Sequence, residues 1–417
     1  MDSDSVGGID RRRLLGWGGL TAAGMAAAGA SPAGAQPARA GAAPAGSGIP
    51  PDTRPGGAYD RYVAKLAAQG RFSGVVLLSH RGRTVLSRSY GMADKENGIP
   101  NGEHTAFSLS SAGKPFHAVA ILQLAQRGRL RLSDTVGTHL TGYAEEIAEQ
   151  VTIHHLLTGT SGMRTPDEDV QRVFQSRDEV HEFYERWARQ ATSETPPGTP
   201  SGHSGAEVAI PAQIIEAVTG QTYWDYVQEN IFDLCGMTGS GFYTRPQWLT
   251  DQHIAHPYMA LADGSHVDAV RHLDVGSPDP YVRGKNPGRA YIDAPGDGGF
   301  VTAPDLVRFA RALGDGTVLD RHYAELFTGP KIPLVPEGGG LTRRAVPADA
   351  SFGAYQMPVS LVSGQWVWSR AGANPGVGAS WTVYPDTGWA GVILTNRDGA
   401  PLWEIIEQET RAVTGSG

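Results

Sequence analysis

Ser111 and Lys114 are the two residues whose types and spacing best suit covalent chemistry. They stand three residues apart in Phe107-Ser-Leu-Ser-Ser-Ala-Gly-Lys114, where a segment with helical spacing of apolar residues begins, and this segment closes at Gly128. A serine hydroxyl is a poor nucleophile until a base takes its proton, and a lysine held close and partly desolvated can do so. The start of a helix also offers free backbone N–H groups that can stabilise an oxyanion. Serine is a common helix cap and lysine a common surface residue, so the pair alone is weak evidence.

Two pairs of histidines, His253-x-x-His256 and His154-His155, suggest a metal site. Neither pair is accompanied by a Glu-x-x-His helix or by a third ligand in the sequence, and a protein metal site needs such a set. We therefore predict no metal ion. The one cysteine, Cys235, allows neither an internal disulfide nor a cysteine-based cluster.

Strand patterns stand near both ends of the chain, and helical patterns fill the middle. A helical pattern over Tyr59–Gln69 precedes a hairpin pattern in which residues 72–79 and 83–90 are the strands. Helical patterns follow over Val151–Leu157, Asp178–Ala191, Ala206–Val218 and Tyr223–Phe232. Strand patterns return at Gln365–Arg370, Ala379–Tyr384 and Trp389–Thr395, before a helix over Leu402–Val413.

This order of elements predicts an α/β (α+β) fold. Both chain ends contribute to one antiparallel sheet, and a mostly helical lobe of about residues 115–295 is inserted between the sheet segments. Active sites are common in the cleft between two such lobes.

The composition excludes several classes of function. The chain has 417 residues, 40% of them apolar, with 35 Lys+Arg against 43 Asp+Glu and a net charge of −8. It is too hydrophobic to be disordered and lacks the basic excess of a nucleic-acid binder, so we expect a small-molecule partner. No run of about 18 apolar residues occurs after the first fifty residues, so we expect no stable membrane insertion.

The first fifty residues differ from the rest. Arg11-Arg12-Arg13 precede a Gly/Ala-rich apolar stretch that reaches about Ala28, and Ala33-Gly-Ala35 is a small-x-small cleavage pattern. This segment resembles a twin-arginine export signal. We therefore predict a signal peptide over residues 1–35, a flexible linker over 36–57 and a single domain over 58–415, in a protein exported through the twin-arginine pathway.

Several further motifs occur in the order seen in one protein family. After Phe107–Lys114 come Ala118–Leu124, Val151–Gly162, Pro197–Thr199, Ile231–Met237, Gly298–Asp305 and Gly391–Asn396. With these motifs the sequence resembles the serine β-lactamase-like family, which includes class C β-lactamases, DD-peptidases and related esterases and amidases, over about residues 60–413. The resemblance implies a β-lactamase/transpeptidase-like fold, an acyl-serine intermediate and no cofactor. It also implies that Ser111 is the nucleophile and that Lys114 activates it.

The second family motif is altered. After Pro-Gly-Thr the family usually carries Tyr-x-Asn, whereas this chain has His203 at the tyrosine position and Gly205 at the asparagine position. Histidine exchanges protons more readily near neutral pH, since its ordinary pKa is about 6.5 against about 10 for tyrosine. His203 is therefore a candidate catalytic residue for proton transfer. The alternative is a polar loop residue in a site that has lost this function.

The third family motif corresponds to Arg370-Ala-Gly372-Ala373. The resemblance implies that the N–H groups of Ser111 and Ala373 form the oxyanion hole and that Arg370 and Gly372 contact the substrate. An arginine there suits a substrate carboxylate, although it could also pair with a carboxylate of the protein such as Asp297. The family counterpart of Asp297 lies near the cleft, which makes this aspartate a further candidate for substrate binding.

These observations predict an exported serine hydrolase or acyltransferase that acts on an ester or amide through an acyl-serine intermediate. The loss of the family asparagine argues against efficient β-lactam turnover. A non-catalytic binding protein on the same fold is the alternative, because two of the three motifs are altered.

Overall fold

The computed structural model describes residues 48–199, 204–334 and 350–415. The expected signal peptide over residues 1–35, most of the expected linker, and His203 lie outside the described residues.

The strands and helices alternate in long blocks along the chain. The strands are β1 (Gly74–His80), β2 (Arg83–Tyr90), β3 (Met92–Asp94), β4 (Ile99–Pro100), β5 (Phe107–Ser108), β6 (Met163–Arg164), β7 (Thr192–Ser193), β8 (Tyr258–Ala260), β9 (His266–Asp268), β10 (Phe300–Val301), β11 (Ile332–Leu334), β12 (Ala350–Gly353), β13 (Pro358–Val362), β14 (Gln365–Asn374), β15 (Val377–Tyr384) and β16 (Trp389–Thr395). The α-helices are α1 (Ala58–Ala68), α2 (Pro115–Gln126), α3 (Val136–His139), α4 (Glu145–Gln150), α5 (Ile153–Thr158), α6 (Arg177–Ala188), α7 (Ala206–Thr219), α8 (Tyr223–Val227), α9 (Arg245–Thr250), α10 (Ala303–Asp315), α11 (Arg321–Thr328) and α12 (Leu402–Thr414).

One antiparallel sheet of eight strands, in the order β11-β12-β13-β14-β15-β16-β1-β2, organises the fold. β1 pairs with β16 from Gly74–Thr395 to His80–Trp389, so the first and last strands of the chain are neighbours, as the sequence predicts. Nearly every residue of β1 and all of β15 are buried, because helices cover both faces of the sheet.

Two apolar cores lie on the two faces of the sheet. The larger core joins the sheet to the helical lobe, in which α2 is buried over almost its whole length and is therefore apolar on nearly every side. The smaller core joins the sheet to α1 and α12, the terminal helices of the domain. The mixed α/β fold with an antiparallel sheet built from both chain ends is thus confirmed.

Two features differ from the sequence-based expectation. The strand patterns began at Gln365, but β11, β12 and β13 extend the sheet beyond β14. These strands were missed because they are short and because proline or polar residues interrupt their apolar pattern. The expected linker also ends early, because Pro51–Thr53 form a 3-10 helix and Thr53 is fully buried.

Among the described residues, no helix is both long and apolar enough to span a membrane.

Candidate active site

The nucleophile candidate lies in a tight turn between β5 and α2. Residues Ser110–Gly113 form a 3-10 turn that continues directly into α2, whose first residue is Pro115. Proline suits this first helical position because the missing N–H would have no helical partner there. Ser110 has a φ of 49°, a left-handed conformation that costs a non-glycine residue about 1 kcal/mol. Its hydroxyl donates to the carbonyl of Ala373 at 3.0 Å, which holds the turn in place.

The turn packs against an open edge of β14. β13 pairs with β14 only over Gln365–Trp368 among the described residues. Beyond Trp368, the Ser110–Gly113 turn lies against the same edge of β14 and bonds Ala373. In an antiparallel strand the N–H and C=O of one residue point to the same side. Because the Ala373 carbonyl accepts from Ser110, the Ala373 N–H also faces the turn, where the predicted oxyanion hole requires it.

Gly372 is required for this close approach. A Cβ at position 372 would lie 2.4 Å from the backbone nitrogen of Ala112 and 2.7 Å from that of Ser111. No side chain can occupy that space, so glycine lets the strand lie directly against the helix start. We find Gly372 beneath the backbone of the nucleophile rather than in a position that a side chain could use to bind substrate.

Lys114 is in contact with Ser111. Its Nζ donates to Ser111 Oγ at 2.7 Å, and the lysine side chain is only 2% exposed. Burial lowers the pKa of Lys114, while the negative charge of Asp297 opposes this shift and the positive charge of Arg370 adds to it. A lysine with a lowered pKa can be neutral near physiological pH and accept the proton of the serine.

Asp297 lies on the other side of Lys114, with Oδ2 3.4 Å from Nζ. It belongs to a loop that packs on the start of α2. The backbone N–H of Leu109 donates to the carbonyl of Gly299 at 2.9 Å, and Gly298 takes a φ of 68° with its carbonyl against Gly113. The structure therefore brings Asp297 to Lys114, where the sequence suggested a substrate or Arg370 as its partner.

Asp293, in the same loop, is a half-buried residue whose carboxylate accepts from the Gly299 N–H at 2.7 Å. Burial raises the pKa of Asp293 to about 6, and the charge of Asp297 acts in the same direction. Nothing in the spacing of isolated aspartates indicates such a site, so the sequence alone does not identify this residue.

Arg370 donates to two backbone carbonyls. Its Nε bonds the Ser111 carbonyl at 2.9 Å and its Nη1 bonds the Gln356 carbonyl at 3.1 Å. Burial lowers the pKa of Arg370 to about 10, so the guanidinium remains charged at neutral pH. The contacts link the nucleophile's backbone to β14 and to the turn before β13, a role that the sequence did not indicate.

His117 is a further residue of the site that the sequence analysis missed. It stands one helical turn after Lys114 in α2, is fully buried, and places Nδ1 2.6 Å from the carbonyl of Gly296. Burial lowers the pKa of His117 to about 4, so the ring is neutral at neutral pH and Nδ1–H donates to Gly296. Its Nε2 has no partner among the described residues. The spacing of three residues from Lys114 is a signal that could have indicated a shared helix face.

His256, from the histidine pair that suggested a metal site, lies in a different part of the fold. Ligand atoms of His256, Asp94 and Asp268 come within 4.8 Å of one another. Arg271 occupies their centre, with Nη1 2.9 Å from Asp94 Oδ1 and 2.5 Å from Asp268 Oδ2. The guanidinium therefore pairs with both carboxylates, and the sequence missed this cluster because Asp94 is far from His256 in the chain.

The model of the Beta-lactamase protein family matches residues 59–412. The chain belongs to the Beta-lactamase family. Its curated relatives include the putative penicillin-binding protein PbpX of Bacillus subtilis, 28% identical over 62% of this chain, and esterase EstB of Burkholderia gladioli, 41% identical over 21% of this chain. The matched regions span 59% of PbpX and 24% of EstB.

Solved structures share this fold over most of the chain. A penicillin-binding protein from Bacillus halodurans has 25% identity and a TM-score of 0.66, with 83% of this chain and 98% of that chain covered. D-amino acid amidase from Ochrobactrum anthropi shares the fold at 19% identity, with a TM-score of 0.65 over 86% of this chain and 98% of that chain. The family match supports serine hydrolase or acyltransferase chemistry in general, and the solved structures show the shared fold.

Proposed function

We propose that the protein is a serine hydrolase or acyltransferase that cleaves an ester or amide of a small molecule through an acyl-Ser111 intermediate. The contact that carries the proposal is the 2.7 Å hydrogen bond between Lys114 Nζ and Ser111 Oγ in a buried site at a helix start. Asp297 and Arg370 place opposite charges close to this pair, an arrangement that is common in functional sites.

In this mechanism neutral Lys114 accepts the proton of Ser111 as Oγ attacks the substrate carbonyl carbon. The backbone N–H groups of Ser111 and Ala373 would donate to the oxygen on which negative charge develops. The ammonium of Lys114 then supplies a proton to the leaving group. His203, at the position of the family tyrosine, is our candidate for relaying that proton. Water or another nucleophile releases the acyl group in the second half of the reaction.

Covalent labelling tests this proposal. After incubation with a fluorophosphonate, mass spectrometry should find one adduct on Ser111, and hydrolysis of a chromogenic short-chain ester should be lost in Ser111→Ala. Ser193→Ala, an exposed serine of β7, is the matched control and should retain activity. An unlabelled Ser111 together with full activity of Ser111→Ala would end the proposal. A protein that binds ester or amide ligands but neither turns them over nor reacts at Ser111 would instead support the non-catalytic alternative.

We also propose export through the twin-arginine pathway, supported by Arg11-Arg12-Arg13 and the Gly/Ala-rich stretch after them. In a bacterial host with that pathway, the full chain should be recovered outside the cytoplasm. The triple replacement of Arg11, Arg12 and Arg13 by lysine should leave it inside. Equal export of both chains would contradict the prediction.

A further inference from the structure

The charges around Lys114 are unequal. Arg370 from β14 and Lys285 from the loop before Pro287 are positive and lower the pKa of Lys114. Asp297 is negative and raises the pKa of Lys114. His117, the titratable group one turn further along α2, is neutral. An ammonium formed at Lys114 during the reaction would therefore face two positive neighbours and one carboxylate.

No side chain at position 205 can supply a further polar partner. A Cβ on Gly205 would lie 2.1 Å from Cη2 of Trp187, so the indole fills that volume. The indole is itself fixed, because its Nε1 donates to the carbonyl of Pro166 at 3.0 Å. Asp297, from another element, places a carboxylate oxygen 3.4 Å from Lys114 Nζ.

The loop that carries Asp297 is held to the helix that carries Lys114. His117 in α2 donates to the carbonyl of Gly296, immediately before Asp297, at 2.6 Å. On the other side of Asp297, Gly298 donates to Asp297 Oδ1 at 2.8 Å and Gly299 donates to Asp293 at 2.7 Å. Because His117 is neutral, it fixes the loop without adding another positive charge beside Lys114.

We propose that Asp297 is the positioning carboxylate of the Ser111–Lys114 pair, an inference that rests on the proposed function. It orients Nζ toward Ser111 Oγ and stabilises the ammonium that Lys114 becomes. During acylation the Oγ–H bond breaks, a bond forms between Oγ and the carbonyl carbon, and the proton passes to Nζ. The same proton then passes from Nζ to the leaving group as the bond between the leaving group and the carbonyl carbon breaks. Asp297 remains ionised throughout and accepts no proton.

The test is the pH profile of ester hydrolysis by Asp297→Asn. Removal of the negative charge lets burial, Arg370 and Lys285 lower the pKa of Lys114 unopposed, so Lys114 becomes neutral at a lower pH. The acid limb of kcat/KM should therefore move to lower pH by about one unit or more. The plateau of kcat should fall about tenfold or more, because Lys114 becomes a weaker base and its ammonium loses its counter-ion. Asp263→Asn, whose carboxylate bonds Ser265 in an exposed turn, is the matched control and should keep the normal profile.

Two further variants separate positioning from structure. Asp297→Glu restores the charge and should return the acid limb close to its original pH with partial activity. Asp297→Ser is a second neutral variant for use if Asp297→Asn fails to fold, since a serine oxygen can still accept from the following backbone. This inference would be overturned if a folded neutral variant kept both the acid limb and the kcat plateau of the parent protein. If Ser111 were still labelled by fluorophosphonate in that variant, the proposed function would remain valid. If Ser111 is neither labelled nor required, the proposed function and this inference fail together.

Discussion

Arg370 donates from Nε to the carbonyl of Ser111 at 2.9 Å and from Nη1 to the carbonyl of Gln356 at 3.1 Å. These two hydrogen bonds connect the turn that carries Ser111 to β14 and to the turn before β13. The guanidinium also lies close enough to Lys114 to lower its pKa.

Arg370→Lys should reduce kcat for a neutral ester about tenfold, because one ammonium cannot reproduce the fork of an arginine. If Arg370 instead served mainly to bind a substrate carboxylate, the variant would raise KM for a carboxylate-bearing ester and leave kcat for a neutral ester unchanged. Steady-state kinetics with the two esters separates these roles. Arg321→Lys, an exposed partner of Glu325 in α11, is the control.

Gly372→Ala should lower kcat about a hundredfold or more, because the new methyl group would push the Ser111 turn away from β14 and misalign the two oxyanion donors. Activity on a short-chain ester and thermal unfolding measure the two effects separately. Gly314→Ala is the matched control, since a Cβ there meets nothing within 4 Å and glycine in a helix is less favourable than alanine. Normal activity of Gly372→Ala would contradict the assigned geometry.

His203 can be tested although it lies outside the described residues. His203→Tyr restores the side chain that the resemblance expects, so it should retain activity if His203 relays a proton, whereas His203→Ala should lose about a hundredfold in kcat. The pH profiles of the two variants and the parent protein provide the measurement. If His203→Ala is also fully active, His203 has no chemical role.

Glu409 in α12 is predicted to make folding stability depend on pH. It is fully buried, accepts from the Tyr384 hydroxyl at 3.2 Å, and lies against Gly391 of β16. Burial raises the pKa of Glu409 from 4.5 to about 7. The folded protein therefore binds the proton more tightly than the unfolded chain, and the associated stability is present below pH 4.5 and lost as pH rises through 7.

Glu409→Gln should remove this dependence, because the amide does not titrate. The free energy of unfolding in urea should change less between pH 5 and pH 8 in the variant, by about 3 kcal/mol. Glu407→Gln, which removes an exposed i,i+4 partner of Arg411 in the same helix, is the control and should leave the pH dependence unaltered. The same pH dependence in Glu409→Gln as in the parent protein would show that another group is responsible.

Much of the fold follows from local patterns. The apolar runs of β1 and β16, the helical spacing of α2 and the glycine after it are visible within short windows, because side chains alternate in strands and recur every three to four residues in helices. The pairing of Ser111 with Lys114 is local in the same sense, since three residues in a helix place both on one face.

The rest of the site required the path of the chain. Asp297 lies far along the sequence from Lys114, and no periodicity relates it to that lysine, so only the packing of its loop on α2 brings the carboxylate to Nζ. Arg370 was selected from the sequence for its charge, but its hydrogen bonds to the backbone depend on where β13 ends and leaves β14 open to the turn. Spacing within short windows therefore predicts most of the elements and the proximity of Ser111 and Lys114. Only the tertiary structure shows which charges surround Lys114, because contacts between distant segments depend on how whole elements pack.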